Sequence, residues 1–170
     1  LQETIAEIQG QEIPSVDDTQ IDLPLTAFIP GDWITDSEEK INAYRLATQC
    51  VSNEALVQFA TNLLDRYGTL PKAVESLLEV MKLKIVAKKC GFSRIKLSKP
   101  NIELETLMDE PAFKSLRKNL ANHLHGRLIY KKGSKYSSVT IRGLGIVDSE
   151  KLLDQLIEWL TKMSTNLKLE

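Results

Sequence analysis

NEALVQFATNLLDRYGTLPKAVESLLEVMKLKIVAKKC, residues 53–90, is the stretch whose reading decides the fold. Leu56, Phe59, Ala60, Leu63, Leu64 and Tyr67 recur at helical spacing and make one apolar stripe. Gly68 predicts the stop, because glycine takes the left-handed helix-ending conformation at little cost. Pro71 opens the next helix, where its missing N–H costs nothing. That helix, Pro71 to Lys89, carries Val74, Leu77, Leu78, Val80, Met81, Leu83, Ile85, Val86 and Ala87. These cover about half its circumference, wider than the usual ~100° stripe. A helix so apolar is expected to touch neighbours on two sides. It is therefore placed at the centre, with Leu77 and Met81 buried where a helical N-terminal part meets the rest.

Working back from residue 53, Ser52 or Asn53 caps the first helix. Asp36, with Glu39 three positions on, is a capping box for an earlier helix whose inner face reads Ile41, Tyr44, Ala47 and Val51. Pro30-Gly31-Asp32 is a turn. Gln20–Ile29 is β-like, but Pro24 limits it to an edge or extended strand. Gln11–Thr19 is polar and linker-like, and Leu1–Gly10 reads as the last turns of a helix beginning upstream. The expected division is an arm over residues 1–30 and a domain over 31–168.

Beyond Cys90 the period changes. Phe92, Ile95 and Leu97, then Ile102 and Leu104, predict two strands about Lys99-Pro100-Asn101. Asp109 caps a helix with Pro111 in its first turn, Phe113, Leu116, Leu120 and Leu124 inward, and Gly126 at its end. Leu128–Lys131 and Tyr136–Arg142 predict a hairpin across Gly133-Ser134. Asp148 is the expected cap of a last helix, with Val147 and Leu152 as a hydrophobic staple. The order is three helices followed by ββαββα. This is an α+β arrangement with a small, mainly antiparallel, four-stranded sheet.

A length of 170 residues with 42% hydrophobic and 26% charged residues suits one soluble domain plus an arm. No apolar run approaches the ~20 residues that span a bilayer, and no basic stretch precedes an apolar one as in a secretory signal. Cys50 and Cys90 lack CxxC spacing and read as free thiols of a reducing, cytoplasmic setting. The net charge of −1 hides a division. Residues 1–79 hold 14 acids and 4 bases, residues 80–170 hold 9 acids and 18 bases. No acid lies between Glu110 and Asp148. Lys82, Lys89, Arg94 and Lys96, with Lys131, Lys132 and Lys135 of the hairpin, are candidates for a basic contact patch. Phe92, Tyr130 and Tyr136 are the aromatic residues available nearby for stacking, and no RNA-binding signature accompanies them. A solvated face or a protein contact explains such clusters more often than nucleic acid does.

Catalytic signatures are missing: there is no GxxxxGK[ST], no GxGxxG and no GxSxG. His123 and His125 diverge on a helix and have no Cys or carboxylate ligand beside them in sequence. Glu103 and Glu105 share one strand face, and surface solubility explains them better than acid–base chemistry. No cofactor, metal or catalytic residue is expected. What remains is Asp65-Arg66 before Tyr67-Gly68, two charges pointing about 100° apart. Asn62 lies one turn earlier on the same side.

Leu64-Asp65-Arg66-Tyr67-Gly68-Thr69-Leu70-Pro71 resembles the "DRFG-x-LP" turn in the C-terminal domain of bacterial transcription-repair coupling factors. Glu7-Ile8-Gln9-Gly10-Gln11-Glu12-Ile13-Pro14 and Ile21-Asp22-Leu23 are similar to the segment leaving the second motor lobe of that family. Ala27-Phe28-Ile29-Pro30, Asp32-Trp33-Ile34 and Lys40-Ile41-Asn42-Ala43-Tyr44-Arg45 resemble its "A-x-IP-x-D-Y-I … R-x-x-x-Y" run, with Trp33 where tyrosine or phenylalanine is usual. The resemblance covers most of residues 1–110. It implies a parent that is an ATP-driven DNA translocase, displacing stalled RNA polymerase and recruiting nucleotide-excision repair through the A component of the excinuclease. It also implies that this domain is not catalytic and packs against the parent's repair-protein-binding module, masking it. Asn62, Asp65 and Arg66 are the residues the resemblance points to for that contact, although an acid is usual where Asn62 stands. The runner-up from another class is a nucleic-acid-contacting accessory domain using the basic half, residues 80–147.

Overall fold

The computed structural model describes residues 13–165. The arm helix expected over Leu1–Gly10 lies outside the described residues. Strand β1 (Gln20–Asp22) is followed by helices α1 (Ser37–Thr48), α2 (Asn53–Tyr67) and α3 (Lys72–Lys89). Then come β2 (Phe92–Ser98), β3 (Asn101–Thr106), α4 (Glu110–Arg117), β4 (Leu128–Lys131), β5 (Ser137–Ile141) and α5 (Ser149–Met163). The fold is α+β, as the periodicity predicts. No helix among the described residues is long and apolar enough to cross a membrane.

The chain divides into two compact units, 25–85 and the remainder, with the division inside α3. Unit 25–85 is helical. Asp36 Oδ2 accepts from the Glu39 N–H at 3.4 Å to start α1, and Ser52 Oγ accepts from the Ala55 N–H at 3.1 Å to start α2. Gly68, at φ +85°, ends α2 as its sequence predicts. The core joins Ile29, Ile34, Ala43, Ala47, Leu56, Phe59, Leu63, Val74 and Met81. Two expectations change here. Of the expected inner face of α1, Ala47 is buried and Tyr44 packs half-buried on the core, but Ile41 and Val51 are 67% and 74% exposed and Ala43 is buried in their place. Small residues let α1 approach its neighbours closely, and a modest rotation of the stripe brings Ala43 inward and turns Ile41 out while Tyr44 and Ala47 stay on the inner side. Met81 is buried, but Leu77 is only half-buried. Along α3, Val74 and Met81 lie on one side, whereas Leu83, Val86 and Ala87 lie on the opposite side and are also buried. The two-sided character expected of this helix is present.

The second unit holds a five-stranded sheet in the order β1-β2-β3-β5-β4, not the four strands expected. The addition is β1, which runs parallel to β2 with Ile21 beside Ile95. Its sequence suggests an extended strand but not its distant partner. The other pairings are antiparallel. Period 2 sorts the faces. Ile21, Ile95, Leu104, Val139, Ile102, Ile141, Leu128 and Tyr130 fall on one, and Phe113 of α4 stacks on Tyr130 there at 5.6 Å. α5 buries Leu152, Leu153, Leu156, Ile157, Trp159, Leu160 and Met163. It is tied in by the Cys90 thiol, which donates to Leu160 O at 3.4 Å, and by Asn119 Nδ2, which donates to Met163 O at 2.9 Å. α4 stops at Arg117, short of the expected Gly126, and a 3-10 helix over Asn122–Arg127 leads into β4. Asp109 caps α4 through the Ala112 N–H at 2.9 Å, but Asp148 makes no side-chain cap bond to α5.

Candidate functional site

The α2–turn–α3 corner sets the position of the predicted charges. The Gly68 N–H donates to Leu64 O at 2.9 Å, and Pro71 O accepts from Val74 and Glu75 at 3.0 Å, so both helix ends are closed within four residues. Asn62, Asp65 and Arg66 project from α2 as exposed side chains. Across from them stands α1. Together the two helices form a groove of about 340 Å³ with Leu46, Phe59 and Leu63 in its apolar lining and Glu39, Asn62, Asp65 and Arg66 among its polar residues. The three residues singled out by sequence are therefore brought to one place.

Two features of the groove were not legible in the sequence. Arg66 is ion-paired with Glu39, which sits 27 positions earlier, and its guanidinium lies 5.5 Å from the centre of the Tyr67 ring. Their side chains are 64% and 36% exposed, so the pair is worth ~0–1 kcal/mol and exchanges readily. Leu46 is 44% exposed at the groove wall. Asn62 Oδ1 accepts from Gln58 Nε2 at 3.1 Å. Beneath the turn, Trp33 packs on Tyr67 with ring centres 5.4 Å apart, and its Nε1 is buried without a hydrogen-bond partner among the described residues.

The basic candidates separate. Lys82 lies in the helical unit and the other six in the sheet unit. Arg94 and Lys96 are on the polar sheet face, within a ladder of alternating charge. Arg94 pairs with Asp22 and stands 3.8 Å from Glu105, and Lys96 stands 3.3 Å from Glu105 and 3.8 Å from Glu103. These acids raise the affinity of both bases for their protons, chiefly through the side-chain bonds to Asp22 and Glu105 respectively. Glu105 is 7% exposed, so this carboxylate is not the solubilising residue its strand position suggested. The cross-strand registers Arg94↔Glu105 and Lys96↔Glu103 explain the pairing, and register between distant strands is not read from one sequence. Lys131, Lys132 and Lys135 are exposed on and beside the β4–β5 turn, with no ion pair among the described residues. Cys90 is buried and its thiol is pushed up to about 12, because burial disfavours the thiolate. Cys50, half-buried, is raised for the same reason.

Residues 23–114, more than half of the chain, match the family model of the TRCF domain. The chain is 31% identical over 106 residues to a transcription-repair-coupling factor of Staphylococcus haemolyticus, an alignment covering 61% of this chain and 9% of that protein. It is 28% identical over 137 residues to the one of Bacillus subtilis, covering 80% of this chain and 11% of that protein. The chain thus spans about a tenth of the length of these relatives. A crystal structure of the C-terminal domain of transcription-repair coupling factor superposes with a TM-score of 0.65 at 16% identity, covering 89% of this chain and 98% of that one, and shows the same fold. From the helices that build the groove to the strands that follow them, the chain belongs to the TRCF domain family.

Proposed function

We propose that this chain is a non-catalytic regulatory domain of a transcription-repair coupling factor. In this reading its α1–α2 groove packs against the repair-protein-binding module of the same parent and masks it from the excinuclease. The observation that carries the reading is the convergence of Asn62, Asp65 and Arg66 around exposed Leu46 and the Phe59 wall. An apolar floor ringed by charges of both signs gives a protein contact area and a register. Arg66 can give up Glu39 for a partner carboxylate at small cost, since the present pair is exposed. Asp65 is exposed and positioned to accept from a partner base.

The test replaces Asn62, Asp65 and Arg66 together with alanine. All three are solvent-facing, so the thermal melt should hold to within ~0.5 kcal/mol of stability. Binding of the chain to the isolated module should weaken by ~2–5 kcal/mol where the charges become buried in the contact. In the intact parent, affinity for the A component of the excinuclease should rise. Unchanged affinity for both partners, with the melt unchanged, would show that these residues do not hold a closed state.

A further inference from the structure

Among the candidate basic residues of the sheet unit, the structure separates those already neutralised from those that are not. Arg94 and Lys96 face Asp22, Glu103 and Glu105 across the polar sheet face. Lys131, Lys132 and Lys135 are exposed and make no ion pair among the described residues. Beyond Lys131, the turn that carries the other two is tight. A Cβ at Gly133 would stand 2.1 Å from the Tyr136 carbonyl oxygen, so glycine is required for this closure. Below the turn opens a groove of about 450 Å³. Lys132 and Lys135 line it together with Asp109 and Glu110. Tyr130 and Tyr136 are among its lining residues, and Tyr136 is 44% exposed. The Tyr130 hydroxyl is committed, donating to Met108 O at 2.8 Å and lying 3.0 Å from Ser137 Oγ. Asp109 is occupied by the α4 cap.

We infer that this groove binds one unpaired base of single-stranded nucleic acid, with the flanking phosphates on Lys132 and Lys135. Each part of the lining has a role in that assignment. A base stacks on the exposed Tyr136 ring, which is tolerant of sequence. Phosphates meet the two lysines of the lining. The carboxylate of Glu110 accepts from an exocyclic amino group on the base edge, as acidic side chains do with cytosine. An acidic peptide uses the lysines but is repelled by Glu110. Duplex DNA uses the lysines but keeps its bases stacked out of the groove. The inference is independent of the masking role assigned to α1 and α2.

The experiment measures binding of the whole chain to fluorescent oligodeoxycytidine and oligothymidine of about 12 nucleotides, across ~50–200 mM salt. Oligodeoxycytidine should bind more tightly than oligothymidine, which lacks the amino group. The double variant K132E/K135E should weaken both and flatten the logarithmic salt slope by about 1.4, two phosphate contacts of ~0.7 each. Y136A should weaken both by roughly fivefold or more. E110A, which removes the acceptor, should bring the ratio of oligodeoxycytidine to oligothymidine affinity close to one. Circular dichroism melts of all variants should match the parent chain. Salt-independent binding, or binding unaffected by K132E/K135E, overturns the proposal. So does equal affinity for the two oligonucleotides, or a duplex that binds as tightly as a single strand. Displacement by polyglutamate as readily as by oligonucleotide would reassign the groove to an acidic protein.

Discussion

Leu77 and Leu83 are six positions apart on α3, equally apolar, and differently placed. Leu83 is fully buried and Leu77 half-buried. Leu83→Ala is expected to cost ~2–5 kcal/mol in urea unfolding, through lost transfer energy plus the cavity left behind. Leu77→Ala should cost clearly less, since part of that side chain is already in water. Equal losses would mean that exposure does not rank these two sites. Cys90 gives a pH-dependent prediction. Its thiol is raised from 9.0 to about 12 by burial, with a small opposing effect of Lys89. The folded state therefore favours the neutral thiol more than the unfolded state does. That contribution is fully present below pH ~9 and is lost as pH rises through 9 toward 12. Stability should fall over this interval, and fall less in Cys90→Ala. Parallel urea titrations at the two ends of the interval read the difference.

At the scale of elements, caps and cross-strand pairs are the contacts to test. Asp109 and Asp148 precede α4 and α5 in similar sequence settings, yet only Asp109 bonds its helix through its side chain. Asp109→Ala should cost ~1 kcal/mol and Asp148→Ala well under half of that. A matched pair of losses in chemical denaturation would refute the distinction. On the sheet, Glu105 is buried between Lys96 at 3.3 Å and Arg94 at 3.8 Å. Lys96→Met withdraws its nearer cation and should cost ~1–3 kcal/mol, because a buried acceptor loses its compensation. Lys131→Met, at an exposed lysine, should stay within ~0.5 kcal/mol. The same denaturant series compares the two.

Across the whole molecule, α3 passes uninterrupted through the division between the two units at Ile85 and Val86. Neither unit can lose its part of α3 without fraying the other's, because helix hydrogen bonding is cooperative. Unfolding should therefore be a single transition. Trp33 reports on the helical unit and Trp159, which is 7% exposed beneath Arg127, on the sheet unit. Single-tryptophan variants, Trp33→Phe and Trp159→Phe, should give coincident urea midpoints; separated midpoints would show independent units. The sequence by itself determined the three helices, the ββαββα order, the turn at Gly68 and Pro71, and the family resemblance. Each of these depends on local signals: apolar period, caps, and glycine or proline at particular positions. It also picked out Asn62, Asp65 and Arg66, because their placement at a helix end follows from that turn. What only the tertiary structure decided depends on partners far along the chain. β1 found β2 some 70 residues away, Arg66 found Glu39, and Glu105 came to lie between Arg94 and Lys96. The burial of Ala43 beside Ala47, with Ile41 and Val51 left exposed, has the same origin. Side-chain period fixes which residues share a face, but the choice of buried face depends on how closely the neighbouring elements approach.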